Sequence, residues 1–148
     1  MVSLFYFSWA NLTAALITWW LAGSLGIGVG YHRLLTHRGF KVPKWLEYSL
    51  STLGTLAMQS GPLTWVTTHR VHHAFTETDK DPHSPRNGTY WAHMGWIMRG
   101  KAQNQSQADM QRYCPDFAND RVHQWINNYY YIPVIALALL LLAIGGWQ

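Results

Sequence analysis

The chain has 148 residues, a net charge of +4 and a hydrophobic content of 49%. Its charges are segregated, because every Lys, Arg, Asp, Glu and His lies between His32 and His123 and the two ends carry none. A water-soluble domain spreads charge over its whole surface, so this pattern excludes an ordinary soluble domain and indicates a membrane protein. The basic residues are interleaved with acids and histidines, which argues against a nucleic-acid partner.

The first predicted element is a transmembrane helix over residues 9–31. This run is apolar and has about the length that spans a hydrocarbon core. Within it Ala22, Gly26 and Gly30 recur every four residues, which predicts a second helix packed closely against that face. All Lys and Arg lie between this span and a second apolar run, so by the positive-inside rule we expect residues 32–128 to be cytoplasmic.

The cytoplasmic region is predicted to be helical around its histidine-rich stretches. Residues 45–58 are apolar with helical spacing but too short to span, which predicts an interfacial helix. Gly61-Pro62 ends this helix, because proline disfavours helical backbone in the residue before it. A further helix over residues 63–75 carries the second group of histidines, and residues 103–120 are expected to form a solvated connection.

The last predicted element is a second transmembrane helix over residues 129–147. Three tyrosines stand at its start and Trp147 at its end, which is the aromatic-belt pattern of a spanning helix. The sequence therefore predicts one domain over residues 1–148 with an all-α membrane fold, in which transmembrane helices carry a cytoplasmic helical cap. We expect a multi-pass integral membrane protein with its site on the cytoplasmic side.

Five of the eight histidines fall into two tight clusters. His32 and His37 follow the first span directly, and five residues of α-helix rotate by about 500°, so their rings cannot share one face of a continuous α-helix. A helix that ends near residue 33 would let His37 fold back toward His32. In the second cluster, His69, His72 and His73 have the i, i+3, i+4 spacing that presents three rings within an arc of roughly 100°.

The two clusters have the composition of a metal site. Neutral imidazole binds zinc, copper, iron and nickel, so the ligand type alone does not select the metal. The single cysteine, Cys114, excludes a cysteine-based zinc site. Five histidines are too many for one structural zinc ion and too few for two well-coordinated metals. We therefore expect a dinuclear site that needs further ligands.

Four ordered motifs contain or follow these histidines: GYHRLLTHR at residues 30–38, HRVHH at 69–73, ETDKDPH at 77–83 and HMGW at 93–96. Together they resemble the membrane-bound histidine-box fatty-acid desaturases of the delta-9 acyl-lipid and acyl-CoA type. The resemblance implies two irons, activation of O2 and the removal of two hydrogens from an acyl chain. By this resemblance, the iron ligands are His32, His37, His69, His72 and His73.

The resemblance also assigns residues near the ligands. In the family, a Gln and a Trp before the second box line the bend of the substrate tunnel, and Gln59 and Trp65 occupy those positions. Ordinary interfacial packing is the alternative for Trp65. Ligating imidazoles need partners for their second nitrogen, and the candidates for this role are Asp79, Asp81, His83 and His93. His123 belongs to no cluster and is expected to be structural.

One departure from the animal acyl-CoA enzymes bears on the substrate. Those enzymes place Arg-Asp before the second box, where the pair contacts the CoA headgroup, whereas this chain has Thr67-Thr68. A lipid-linked acyl chain is therefore favoured over an acyl thioester, although a carrier-protein thioester stays open. Arg99 and Lys101 are expected either to meet membrane lipid phosphates or to serve only as positive-inside charges.

The family's third histidine box has no counterpart in these residues, so we expect that this polypeptide alone does not hold a complete di-iron centre. No flavin, haem or iron–sulfur motif is present, which implies an electron donor such as a ferredoxin or a cytochrome b5-type protein. The leading hypothesis is a fatty-acid desaturase that acts on an acyl lipid. Two alternatives stay open: a histidine-box hydroxylase or ketolase, and a non-catalytic membrane metal-binding fragment.

Overall fold

The computed structural model describes residues 8–76, 78–99 and 105–145, and within these ranges it is helical without strands. Lys101 and Trp147, to which the sequence analysis gave roles, lie outside the described residues. The α-helices are α1 (Trp9–Trp19), α2 (Lys44–Thr55), α3 (Pro62–Phe75), α4 (Trp96–Met98), α5 (Gln107–Tyr113), α6 (Arg121–Asn128) and α7 (Ile132–Gly145). Trp20–Thr36 and Trp91–Gly95 are π-helical, and Pro85–Asn87 is a short 3₁₀-helix.

One long helix begins the described chain. α1 continues without a break into the π-helix Trp20–Thr36, and together they form a helix of 28 residues that contains an 18-residue window with a mean hydropathy of 1.6. Of the described helices, it is the only one that is long and apolar enough to cross a membrane by itself. α7 has 14 residues, and it is long enough to cross a membrane only when joined to α6, from which it is bent by 61°.

The π-helix and α2 pack closely, because small residues face each other. A Cβ added at Gly26 would lie 2.5 Å from the backbone of Leu53 and Gly54, and one added at Gly30 would lie 2.9 Å from the Leu50 carbonyl oxygen. A Cβ at Gly54 would overlap the ring of Tyr31. The close packing predicted from the small residues of the first helix is therefore confirmed, and α2 is the partner.

α2 and α3 are joined by a short turn with unusual backbone. α2 ends at Thr55, three residues before the predicted end of the interfacial helix, and Met58 and Ser60 both have positive φ angles of 56° and 86°. Pro62 then stands in the first turn of α3, where its missing N–H costs no hydrogen bond. This turn aims α3 back along the π-helix, so that its histidines meet those at the end of the first helix.

The segment that was predicted to be a solvated connection contributes to the core instead. Within residues 105–120, α5 packs on α3, and Cys114, Phe117 and Ala118 are buried at 0%, 4% and 6% exposure. The prediction was wrong because these apolar residues are isolated among polar ones and give no periodic signal. The core that they complete also contains Tyr31, Leu34, Leu35, Leu50, Leu63 and Val66.

Candidate metal centre

The first histidine pair is brought together by π-helical backbone. The N–H of His37 donates to the carbonyl oxygen of His32 at 3.1 Å, a bond across five residues, and the two Nε2 atoms lie 3.1 Å apart. The prediction that the helix ends near residue 33 was wrong. A wider helix turns less per residue than an α-helix, so residues five apart share a face; π-helical turns occur frequently at functional sites.

α3 supplies the other half of the same cluster. His69 and His73 are one helical turn apart, and their Nε2 atoms lie 3.2 Å from each other. The ring of His69 lies 4.9 Å from that of His32, and the ring of His73 lies 4.8 Å from that of His37. One ligand nitrogen from each of the four rings lies within 4.8 Å of all the others. We call these residues the four-histidine cluster.

The electrostatics of this cluster favour neutral imidazoles. Burial, followed by repulsion from His73 and His32, lowers the pKa of His69 to about 3. Burial and the neighbouring His37 likewise lower the pKa of His73. No carboxylate belongs to this cluster among the described residues. Neutral rings expose nitrogen lone pairs, and adjacent nitrogens bound to one metal at about 2.1 Å would be roughly 3.0–3.4 Å apart, so the four rings fit a metal ion.

The fifth predicted ligand, His72, lies in a different group. Its Nδ1 is 2.9 Å from the Oδ1 of Asp81, and its ring stacks on that of His83 with centroids 3.9 Å apart. Asp81 is 3% exposed and also accepts the backbone N–H of His83 at 3.0 Å. A carboxylate at one imidazole nitrogen orients the other nitrogen of the ring. The ring of His72 still lies 5.5 Å from that of His73 and 6.0 Å from that of His69. The three rings of α3 are therefore close together, although the ligand atoms of His72 group with Asp81 and His83.

Two of the four predicted partners of the ligands lie outside these groups. Asp79 and His93 are exposed, and neither belongs to a group of close ligand atoms in the described chain. His83 is half-buried between the rings of His72 and Trp96, and burial together with His72 lowers its pKa. Asp81 and His83 thus accompany His72, and Asp79 and His93 do not.

A third group of close ligand atoms is held together by a lysine and by hydrogen bonds, although the buried Nδ1 of His123 has no hydrogen-bond partner in the part of the chain that the structure describes. Glu47, Asp120 and His123 approach one another, but the ammonium of Lys44 lies 2.6 Å from the Glu47 carboxylate and 3.1 Å from that of Asp120. Asp120 also accepts from the hydroxyl of Tyr48 at 3.0 Å. His123 is fully buried, and its Nε2 lies 3.2 Å from the hydroxyl of Ser51. We call these six residues the His123 network; it joins α2 to the start of α6.

An apolar cavity of about 970 Å³ lies beside the first helix. Its walls include Leu56, Ala57, Leu141 and Ile144, and one of its polar lining residues is Gln59. The sequence analysis did not predict that the first helix forms one wall of this cavity, although the sequence contains a pattern that indicates it. Small residues recur there every four positions, at Ala10, Ala14, Thr18 and Ala22.

Gln59 and Trp65 connect this cavity with the four-histidine cluster. The indole N–H of Trp65 donates to the Gln59 side-chain oxygen at 3.1 Å, and the same indole stacks on His69 with centroids 4.9 Å apart and planes at 25°. A narrow gap continues from Gln59 past Trp65 to Trp96 and Ile97. The sequence analysis did not predict that Trp96 and Ile97 line the gap between the cavity and the cluster.

Comparison with known proteins gives consistent matches. The family model described as fatty acid desaturase matches residues 7–148. An sn-1 stearoyl-lipid 9-desaturase of Anabaena variabilis is 50% identical over 142 residues, which cover 96% of this chain and 51% of that protein. An sn-2 palmitoyl-lipid 9-desaturase of Nostoc sp. (strain 36) is 43% identical over 148 residues, 99% of this chain and 52% of the relative.

A plant protein extends the comparison. The delta-9 acyl-lipid desaturase 1 of Arabidopsis thaliana is 54% identical over 93 residues, which cover 63% of this chain and 30% of that protein. The chain thus spans about half the length of the two bacterial relatives that it matches from end to end. The matched region includes both histidine clusters, since the family model covers residues 7–148.

Proposed function

The chain belongs to the fatty acid desaturase family, as its histidine motifs predicted, and we propose that it acts in an oxidoreductase that introduces a cis double bond into a saturated acyl chain. The proposal depends on one observation above the others. Nitrogens from two separate helices, His32 and His37 on one and His69 and His73 on the other, converge with no carboxylate among the described residues. Imidazole nitrogen binds iron as well as zinc, copper and nickel, and membership of the family favours iron.

The metal we propose is a pair of irons. The four-histidine cluster would hold one iron, and His72, oriented by Asp81, would contribute to the second. When bound, iron would supply the O2-derived oxidation that no amino-acid side chain can perform on an unactivated methylene. Further ligands for the second iron would come from outside these residues, because the group at His72 offers only Asp81 and His83 beside it.

The chain's own residues would bind and orient the substrate. The cavity beside the first helix is apolar and bordered by small side chains, which suits an extended acyl chain. The hydrogen bond between Trp65 and Gln59 would hold these two side chains in place where they border the path of the acyl chain. Because the Trp65 indole stacks on His69, it would also exclude water from the metal side of the path.

An acyl lipid is the proposed substrate, at the delta-9 position. The relatives named above are lipid desaturases by name. Thr67 and Thr68 are buried in α3 and are used internally: Thr67 Oγ1 lies 3.2 Å from the Cys114 sulfur, and Thr68 accepts from Gln105 at 3.0 Å. Two buried threonines offer no charge to a CoA headgroup, which disfavours an acyl-CoA substrate.

We further propose a multi-pass topology in which the first helix and α7 cross the membrane and the histidines face the cytoplasm. The length and hydropathy of the first helix and the confinement of charge to residues 32–123 support this arrangement. Electrons would come from a separate ferredoxin or cytochrome b5-type protein. Arg99, which is exposed, would meet lipid phosphates at the membrane surface.

A chimera tests the activity. Residues 1–148 would replace the matching segment of the Anabaena variabilis relative, and the chimera would be expressed in a host that lacks desaturase activity. We expect new monounsaturated acyl chains in the membrane lipids, and loss of that product in the His69→Ala version. The His123→Gln version is the matched control and is expected to retain product, because His123 belongs to the network that joins α2 and α6.

Product chemistry separates the alternatives. A double bond lowers the mass of the acyl chain by two hydrogens, whereas a hydroxyl adds one oxygen, so mass spectrometry distinguishes a desaturase from a hydroxylase or ketolase. A chimera that folds and binds iron but leaves the lipids saturated would refute the proposed desaturation. The names of the relatives favour desaturation over both alternatives, including the non-catalytic fragment.

A further inference from the structure

The arginine inside the second histidine box has an unusual number of partners. Arg70 follows His69 on α3, and its side chain is only 15% exposed. Its guanidinium donates to the carbonyl oxygens of Leu35 at 2.5 Å and Thr36 at 3.2 Å. These oxygens stand at the end of the first helix, where carbonyls lack partners within the helix. Arg70 therefore caps the helix that carries His32 and His37.

The same guanidinium is held from the other side by Asp116. Its Nη1 lies 2.7 Å from Asp116 Oδ1, and its Nη2 lies 3.1 Å from Oδ2, a two-pronged ion pair. Nη1 also donates to the carbonyl oxygen of Tyr113 at 2.7 Å. Paired parallel hydrogen bonds fix orientation as well as distance. Arg70 thus connects three segments of chain: the first helix, α3, and the turn after α5.

A second arginine completes the arrangement at the first histidine box. Arg38 directly follows His37, and its Nε and Nη2 lie 3.0 Å and 2.8 Å from the two oxygens of Asp116. Burial opposes ionisation of Asp116, but hydrogen bonds from Arg70 and Arg38 hold the pKa of its carboxyl below the usual range. One carboxylate therefore bridges the residue after His37 and the residue after His69.

Arg38 also marks the point where the first helix stops. Its φ angle is +51°, a left-handed conformation that costs a residue with a side chain roughly 1 kcal/mol. The next residue, Gly39, donates its N–H back to the carbonyl oxygen of Arg33 at 2.9 Å. The chain thus leaves the helix immediately after His37, in a conformation that the ion pair with Asp116 supports.

We propose that Arg38, Asp116 and Arg70 form a positioning bridge that sets the spacing of the two histidine boxes, and this inference depends on the proposed metal function of the cluster. The three residues do not reach a ligand nitrogen themselves. They fix the backbone on which His37 and His69 stand, so that rings from separate helices keep the separation that one metal ion needs. The bridge takes one arginine from each histidine box and its carboxylate from a segment with no histidine of its own.

The geometry distinguishes the Arg70 side of this bridge from an ordinary surface ion pair, whereas the Arg38 side chain is 58% exposed. An exposed pair is worth little, since water solvates its charges. Here Arg70 is mostly buried and uses all three guanidinium nitrogens, on backbone carbonyls and a carboxylate. A lysine at this position would keep the charge but could not make the fork and the carbonyl contacts together. Loss of the bridge should therefore act mainly by weakening the fixed spacing of the four histidine rings, and less by changing the net charge near them.

Cobalt binding to the purified 148-residue chain tests the bridge. Co²⁺ reports its coordination through its visible absorption, and imidazole is a suitable ligand. We expect Arg70→Lys and Asp116→Asn each to raise the Kd for Co²⁺ by about tenfold or more, the effect typical of groups that orient metal ligands, and to change the band shape. Asp120→Asn is the matched control. It also neutralises a carboxylate that accepts from a cation and a hydroxyl, in this case Lys44 and Tyr48, but Asp120 does not contact the backbone of either histidine box.

The outcomes separate the bridge from the metal site. If the unmodified chain binds no Co²⁺, or if His69→Ala binds as well as the unmodified chain, the proposed metal centre is refuted. If the unmodified chain binds and His69→Ala does not, but Arg70→Lys and Asp116→Asn keep both Kd and spectrum, only the bridge is refuted. A spectral change shared with Asp120→Asn would likewise overturn it, since that would be a general effect of stability. Should Arg70→Lys fail to fold by circular dichroism, the isosteric Asp116→Asn decides.

Discussion

The four-histidine cluster and the His123 network both bring histidine close to other ionisable groups, yet His123 is fully buried whereas the four rings of the cluster are half-buried or exposed. In the cluster, rings contact rings, with Nε2 pairs at 3.1 Å and 3.2 Å. In the network, one ring lies among two carboxylates, an ammonium and two hydroxyls. The difference lies in what satisfies the lone pairs and charges.

This comparison teaches which clustered histidines are structural. The partners of His123 come from the chain itself, and Asp120 additionally caps α6 by accepting the N–H groups of Val122 and His123 at 3.0 Å and 3.2 Å. The rings of the cluster have nitrogen partners that are bases like themselves. A group of bases that face one another is stabilised by a bound cation, because the cation uses all the lone pairs at once.

The largest expected difference is in metal affinity. Replacing His69 by Ala removes the ligand at the centre of the cluster, whose ring contacts those of His32, His37 and His73. Because loss of groups that merely orient ligands costs 10–100-fold, loss of a ligand should cost at least about 100-fold in Co²⁺ or Fe²⁺ affinity. Equilibrium dialysis followed by elemental analysis measures it.

His123→Gln is the counterpart in the other region. It should leave metal affinity within about twofold while lowering the free energy of unfolding, since a buried polar network loses a member. If His123→Gln abolished metal binding and His69→Ala did not, the assignment of the two regions would have to be exchanged.

The second prediction concerns stability alone. Asp120→Ala removes the cap of α6 and leaves the Lys44 ammonium and the Tyr48 hydroxyl without their shared acceptor. We expect a loss of about 2 kcal/mol in unfolding free energy, from the cap and from the unpaired donors. Denaturant titration in detergent measures the loss. Metal affinity should not change, and a large drop in metal affinity would show that the two regions are coupled.

The sequence was a good guide to the parts of the molecule that depend on local pattern. Apolar length located the first helix, the spacing of small residues gave its close packing on α2, and the histidine motifs gave the family. The helix predicted over residues 63–75 corresponds to α3, which begins one residue earlier, at Pro62. Each of these signals is carried by residues near one another in sequence, so no tertiary information was needed.

The errors arose where local pattern does not decide. The π-helical turns that align His32 with His37 depend on packing against α2 and α3, and spacing rules for an α-helix could not anticipate them. His72 turns its Nδ1 to Asp81, which lies in a turn beyond the helix, so spacing along α3 could not show which group of ligand atoms it joins. Asp116 was missed altogether, because its two arginine partners are 46 and 78 residues away in sequence.

The third prediction uses pH on the metal-free chain. The pKa of His69 is lowered to about 3, whereas an unfolded chain has a His pKa of about 6.5. Between these values the unfolded state binds more protons, so folding stability is fully present above about pH 6.5 and falls as pH drops toward 3. We expect a loss of about 1 kcal/mol between pH 7 and pH 5, after allowance for the partial exposure of the ring.

Substitution separates the two regions in this experiment. His69→Gln should flatten the pH dependence of the unfolding free energy more than His123→Gln does. Burial also lowers the pKa of His123, but Asp120 and Glu47 oppose that shift. Equal flattening by both variants would mean that the four-histidine cluster is no more sensitive to protons than the structural histidine.

The smallest expected effect comes from Lys44, whose ammonium contacts both carboxylates of the His123 network but whose side chain is 59% exposed. Lys44→Met should cost about 0.5 kcal/mol in unfolding free energy, because an exposed ion pair is worth little, and the cost should shrink further in high salt. Titration at low and high NaCl measures it, with metal content recorded in parallel. If Lys44→Met bound an additional metal ion, and adding His123→Gln to this variant abolished that binding, the Lys44 ammonium would occupy a cation site. The contrast between the His123 network and the four-histidine cluster would then fail.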